Sequence, residues 1–160
     1  MLKLGKLTDY AIVLLTYAAH DDGAEPLTAR VLSERAGLPM PTVSKLLKQL
    51  GRAELLVSQR GARGGYTLSR APKDVSIAEV IAAIEGPIAL TECSSASSDD
   101  PCGLEGGCPV SSNWRLINQA VVSSLRSLTL ADMTPVGSRS SELVQIAGGR
   151  EHRRGAEGHR

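Results

Sequence analysis

The chain of 160 residues contains no Phe, and its aromatic residues are three Tyr and one Trp. Its core must therefore be built from Leu, Val, Ile and Ala, which favours a mainly helical fold. No apolar run approaches the ~20 residues that a membrane-spanning helix needs. No cleavable apolar leader follows Met1. We expect a cytoplasmic protein without a membrane partner.

Catalytic signatures are also missing. We find no nucleophile–base arrangement and no carboxylate pair that belongs to a pocket. The glycine-rich segment 59–65 is followed neither by Lys-Ser/Thr nor by a helix, which argues against a phosphate-binding loop. The sequence therefore indicates a protein that is not an enzyme and has no small-molecule substrate.

The three cysteines, Cys93, Cys102 and Cys108, lie in segment 91–112, which is rich in Ser, Gly and Asp. They are separated by eight and five residues, so the close CxxC pairs typical of structural zinc are absent. Three cysteines cannot all pair within one chain, and a cytoplasmic setting disfavours disulfides. Spacing alone leaves open an iron–sulfur cluster with a fourth ligand, a zinc site, a redox thiol, or no site.

The net charge is only +1, but the charges are unevenly distributed. Residues 28–70 carry eight basic and two acidic side chains, a net charge of +6. Residues 74–132 carry eight acidic and two basic side chains, a net charge of −6. The first section is therefore suited to a polyanionic partner and the second is not.

Segment 27–68 shows the pattern of a winged helix-turn-helix. The first helix is capped by Thr28 and ended by Gly37, and the second buries Val43, Leu46, Leu47 and Leu50. Strands 55–58 and 66–68 form the wing. A helical hairpin that only packs, with a solvated charged face, is the alternative. The candidate DNA contacts are Thr28, Pro41, Thr42, Ser44, Lys45, Lys48, Arg60, Gly61 and Arg63.

Two helices are predicted beside this unit. The first spans 4–20, with Thr8 as N-cap, Asp9 in its first turn, and Ile12, Leu15 and Ala19 as its apolar stripe. The second begins at Ser76, where Glu79 completes a capping box.

A third long helix is predicted over 113–128, and it carries an apolar stripe in steps of three and four. Such a stripe indicates dimerisation, and packing onto its own domain is the alternative. The stripe consists of Trp114, Ile117, Val121, Leu125 and Leu128. We therefore expect four parts: a DNA-binding domain at 1–90, a cysteine loop at 91–112, a dimerisation helix at 113–133, and a disordered tail at 134–160.

Several motifs together resemble the Rrf2 family of winged-helix regulators. They are LTDYA at 7–11, PTVSKLL at 41–47, RGARGGYTL at 60–68, IEGPI at 84–88 and the three-cysteine loop. The segments LTEC at 90–93 and NW at 113–114 are most similar to the subgroup that regulates SUF-type iron–sulfur cluster assembly.

The resemblance implies a homodimeric repressor of SUF-type assembly genes that binds operator DNA and senses a 2Fe–2S or 4Fe–4S cluster on Cys93, Cys102 and Cys108. IscR-type members have a histidine three residues after the last cysteine, where this chain has Ser111. NsrR-type members use an aspartate from the partner's first helix. Asp9 matches that aspartate and is the candidate fourth ligand, with ordinary helix capping as an equal alternative.

Other functions remain open at this stage. One is a repressor of the same family that responds to nitric oxide or redox state. Another is a cluster or zinc carrier without a specific DNA target. A third is a DNA-binding switch that works through a thiol or a small ligand without metal.

Overall fold

The computed structural model describes residues 4–20, 26–61, 64–91, 94 and 108–134. Within these residues the chain is mainly helical with one antiparallel hairpin, which confirms the predicted winged helix-turn-helix. No described helix is long and apolar enough to cross a bilayer. The elements are α1 (Lys6–His20), α2 (Ala29–Ala36), α3 (Met40–Arg52), β1 (Leu56–Gln59), β2 (Gly65–Leu68), a 3-10 turn (Pro72–Asp74), α4 (Ile77–Glu85), α5 (Ser111–Ser127) and α6 (Leu130–Met133).

The helix-turn-helix, formed by α2 and α3, has the caps that the sequence predicts. The hydroxyl of Thr28 accepts a hydrogen bond from the Val31 N–H at 3.2 Å. Gly37 ends α2 with a φ of 63°, in the left-handed region that favours glycine. The predicted inner face of α3 is confirmed, because all four of its apolar side chains have no exposed surface: Val43, Leu46, Leu47 and Leu50.

The wing pairs β1 with β2 so that Leu56 faces Leu68 and Gln59 faces Gly65. The first strand starts one residue later than predicted, because the N–H of Leu55 donates to the carbonyl of Leu50 at 3.0 Å and closes α3. Glycine is needed at position 65 for space. A Cβ there would lie 2.8 Å from the backbone of Leu27, which bridges to the wing.

The start of α1 differs from the prediction. The helix begins at Lys6, so Thr8 lies within the first turn and is not the N-cap. Its side chain is fully buried, and its hydroxyl donates to Oε1 of Glu85 at the end of α4. The same carboxylate oxygen accepts from the N–H of Gly5 at 2.7 Å. A carboxylate distant in sequence therefore caps α1, which local sequence rules do not detect.

The predicted apolar stripe of α1 faces the core, but its centre lies part of a turn away. Leu15 is buried as expected, whereas Ile12 and Ala19 are half-buried and pack at the edge of the core. The orientation follows from the packing of α1 against α2, α3, α4 and α6, because small Ala side chains allow these helices to approach closely. The buried stripe consists of Ala11, Leu14, Leu15 and Ala18.

The helix predicted over 113–128 is present as α5 (Ser111–Ser127), and the rest of the expected dimerisation segment 113–133 contains the separate short helix α6. Helix α5 ends at Ser127, and the chain then pairs with the segment before α4. The N–H of Ile77 donates to the carbonyl of Leu128 at 2.9 Å, and the N–H of Leu130 donates to the carbonyl of Val75 at 2.8 Å. Leu130 is completely buried. The core of the DNA-binding domain therefore includes residues from beyond α5.

The predicted capping box of α4 is confirmed. The hydroxyl of Ser76 accepts from the N–H of Glu79 at 3.3 Å, and the Glu79 carboxylate accepts from the N–H of Ser76 at 2.9 Å. The Ser76 N–H, followed by the Arg70 guanidinium, holds the pKa of Glu79 below its usual value. These contacts fix the entry into α4.

Replacing Glu85 with Ala should lower the free energy of unfolding by about 1–3 kcal/mol, because the buried Thr8 hydroxyl and the first turn of α1 lose their acceptor. Urea denaturation followed by circular dichroism measures this change. Glu34→Ala is the control, since Glu34 contacts Arg30 in an exposed i,i+4 pair. An equal effect of the two substitutions would contradict the capping role of Glu85.

Candidate nucleic-acid interface and cysteine loop

The outer face of α3 carries the predicted DNA contacts at the protein surface. Pro41, Ser44, Lys45 and Lys48 are exposed, and Thr42 is half-buried. The four buried leucine and valine side chains anchor the opposite face in the core. This arrangement presents hydroxyl and ammonium groups on a rigid helix, which suits insertion into a major groove.

A depression of about 540 Å³ separates α3 from the wing. Ser44, Lys48 and Arg52 line it from the helix, and Ser58 and Tyr66 line it from the two strands. Hydroxyl groups and cations at this spacing suit the phosphates that border a groove. The sequence analysis did not single out Arg52, Ser58 or Tyr66, because only the packing of the wing against α3 brings them together.

The wing tip is exposed at Arg60 and Gly61, and Gly61 has a φ of 115° that requires glycine. Arg63 lies outside the described residues. Lys45, Lys48 and Arg60 form no ion pair with another described residue. Thr28 is exposed at the start of α2, where its oxygen is used as the helix cap.

Of the three cysteines, only Cys108 lies within the described residues, and Cys93 and Cys102 lie outside them. Cys108 is a half-exposed free thiol at the turn before α5. Its carbonyl accepts from the Ser111 hydroxyl at 3.3 Å and from the Ser111 N–H at 3.4 Å. Ser111, at the position of the IscR-type histidine, therefore helps to start α5.

The other end of the cysteine loop is held by a residue that sequence reasoning missed. Oδ1 of Asn118 accepts from the N–H of Leu90 at 3.0 Å, and its Nδ2 donates to the carbonyl of Ile88 at 3.3 Å. Both ends of the loop are therefore attached to α5. The signal available in the sequence was a polar amide directly after Ile117, next to the apolar stripe.

Asp9 is exposed in the first turn of α1. Its carboxylate accepts no hydrogen bond from another described residue, so within this part of the chain it caps no backbone N–H. In the described segments, no three side chains of His, Cys, Asp or Glu converge to hold a metal ion. Within the described residues, Asp9 is therefore an exposed carboxylate without a capping role.

The apolar side chains of α5 remain at the surface of the single chain. Trp114 is 40% exposed and Ile117 is 46% exposed, while Val121, Leu125 and Leu128 are half-buried. No residue of α5 is fully buried. Packing of α5 onto its own domain therefore leaves much of the predicted stripe uncovered.

A family model described as Rrf2, iron-dependent transcriptional regulator, matches residues 4–135. An Rrf2-like helix-turn-helix regulator of Rhodobacter capsulatus is 33% identical over 138 residues, covering 84% of this chain and 92% of that protein. The repressor NsrR of Streptomyces coelicolor is 31% identical over 133 residues, covering 82% and 88%. These relatives are transcriptional regulators, not enzymes.

Solved structures give the same result for the fold. CymR, the global cysteine regulator of B. subtilis, superimposes with a TM-score of 0.65 and 26% identity, covering 85% of this chain and 98% of that one. IscR of T. potens superimposes with a TM-score of 0.61 and 28% identity, covering 92% and 94%.

Replacing Lys48 with Ala should weaken binding to duplex DNA of any sequence, because one phosphate contact is lost. The slope of log K against log salt should fall by about one. Fluorescence anisotropy at several salt concentrations measures both quantities. Lys73→Ala, an exposed lysine on the 3-10 turn, removes the same charge elsewhere. Equal losses of DNA affinity in the two variants would show that Lys48 is not part of the DNA interface.

Proposed function

The chain belongs to the Rrf2 family of DNA-binding transcriptional regulators, and we propose that it is a homodimeric, iron–sulfur-cluster-sensing repressor of SUF-type cluster assembly genes. The observation that carries this proposal is the attachment of both ends of the three-cysteine loop to α5, the helix with the exposed apolar stripe. The proposed partner is operator DNA. This partner agrees with the expected cytoplasmic location.

The dimer is proposed from the exposed stripe of α5. Large apolar side chains such as Trp114 and Ile117 are characteristic of interface cores. A dimer also presents two recognition helices to two half-sites, as helix-turn-helix regulators require. A second copy of the chain, packed along α5, is therefore the expected occupant of this face.

The proposed cluster ligands fit the group by their chemistry. Three cysteine thiolates, from Cys93, Cys102 and Cys108, are the usual ligands of iron–sulfur clusters, and Asp9 of the partner subunit is the candidate fourth. Asp9 is suited to this role because it is exposed and caps no described N–H. When bound, a cluster supplies chemistry sensitive to oxygen, nitric oxide and iron supply.

The chain's own contacts explain how the state of the loop reaches the DNA. Asn118, near the middle of α5, holds the start of the loop, and residues 128–130, just beyond the C-terminus of that helix, pair with 75–77. Helix α5 therefore moves with the DNA-binding domain. A change in how the loop is held at the dimer interface would alter the separation of the two α3 helices, and with it the affinity for an operator.

Two alternatives share these residues. A repressor that responds to nitric oxide is supported by the similarity to NsrR. A metal-free thiol switch is supported by the half-exposed Cys108 thiol and by the similarity to CymR, the global cysteine regulator of B. subtilis. A metal or cluster carrier without a DNA target is disfavoured by family membership.

Protein isolated without oxygen should show visible absorption with iron and sulfide in equal amounts, about two or four of each per chain. Cys102→Ala should abolish this absorption, and Asp9→Ala should shift the spectrum and hasten loss of iron. Asp74→Ala, an exposed aspartate on the 3-10 turn, is the control for Asp9. Colourless protein that cannot be reconstituted would contradict the cluster proposal.

Ile117→Glu should weaken the dimer at least about tenfold, because a carboxylate would be buried in the apolar interface. Sedimentation velocity across a concentration series measures the dissociation constant. Gln119→Glu places the same charge on an exposed position of α5 away from the stripe and should leave the dimer intact. Unchanged association of the Ile117 variant would show that α5 is not the interface.

A further inference from the structure

Met40 opens the recognition helix α3 with an apolar side chain that is 44% exposed. The other large apolar side chains of this helix, Val43, Leu46, Leu47 and Leu50, have no exposed surface. Met40 is therefore set apart from the core, at the end of α3 where residues of a helix-turn-helix contact base edges.

The backbone at this end of α3 is poorly suited to bind a phosphate. Pro39 provides no side-chain cap, and Pro41 has no N–H to donate. The N–H groups of Thr42 and Val43 already donate to the carbonyl of Pro39, at 2.9 and 3.1 Å. The first turn therefore presents mainly the apolar atoms of Met40 and Pro41, and an apolar partner fits it better than an anion.

Met40, Ser44 and Lys48 indicate which end of α3 would face the bases and which end would face the phosphates. They are spaced by four residues, lie on one face, and are all exposed. Ser44 and Lys48 also line the depression beside the wing. The face thus changes from apolar to hydroxyl to cationic along the helix, as expected if its start meets bases and its end meets phosphates.

We infer that Met40, together with Pro41, contacts the 5-methyl group of a thymine in each operator half-site. The thymine methyl is the apolar group that the major groove displays, and it allows A·T to be told from other base pairs. The flexible thioether side chain of Met suits such a contact. This inference rests on the proposed operator binding and adds a determinant of its sequence specificity.

The test removes the methyl group and the side chain separately. An operator is first selected from random duplexes with the full-length dimer, and each of its thymines is then replaced by deoxyuridine. Anisotropy at fixed salt gives Kd for the wild type, Met40→Ala and Met133→Ala. Met133 is a matched control, since it is an exposed methionine on α6.

For the wild type, replacing the contacted thymine with deoxyuridine in one half-site should raise Kd about fourfold, the value expected for one buried methyl group. In Met40→Ala the same replacement should have little further effect, whereas Met133→Ala should behave as the wild type. This inference alone is overturned if, at every thymine of the selected operator, deoxyuridine changes Kd by the same factor in the wild type and in Met40→Ala. Failure to select any sequence overturns the proposed function, and the inference with it.

Discussion

The attachment of α5 to the DNA-binding domain at two points is the constraint on which the rest of the structure depends. Near the middle of the helix, the Asn118 side chain forms hydrogen bonds with the backbone of Ile88 and Leu90. Just beyond its C-terminus, the carbonyl of Leu128 and the N–H of Leu130 bond the segment before α4. A helix held at only one point would swing freely. Because α5 is held at two points, the orientation of its exposed apolar stripe, the proposed dimer face, is fixed relative to α3.

The charge distribution divides the chain into a section that is suited to contact DNA and a section that is not. The section with a net charge of +6 contains α3 and the wing, and the section with a net charge of −6 contains α4, the cysteine loop and α5. Repulsion from the phosphates keeps the second section away from DNA, while the exposed cations of the first attract it. An overall charge near zero therefore does not argue against DNA binding in this chain.

The sequence predicted the elements whose causes are local. The caps at Thr28, Gly37 and Ser76 and the buried face of α3 each follow from residues within a few positions of one another. The features that the sequence did not predict depend on contacts between residues that are far apart in the chain. Glu85 caps α1 from 77 residues beyond Thr8, Asn118 holds the loop from 28 residues beyond Leu90, and α6 exists because Leu130 fills the core. Of the candidate sites, the outer face of α3 could be predicted from the sequence. The depression between α3 and the wing could not, because it depends on tertiary packing.

The same fold occurs in a family described as iron-dependent and in a global cysteine regulator, so the fold itself does not define the signal to which this chain responds. What distinguishes one input from another must lie in the residues that approach the loop. In this chain Ser111, in place of a histidine, is used to start α5, and Asp9 is left exposed on α1. For the proposed cluster, both observations favour a fourth ligand from the partner subunit. A site assembled from two subunits would exist only in the proposed dimer, and the exposed stripe of α5 would then be a condition for sensing as well as for binding paired half-sites.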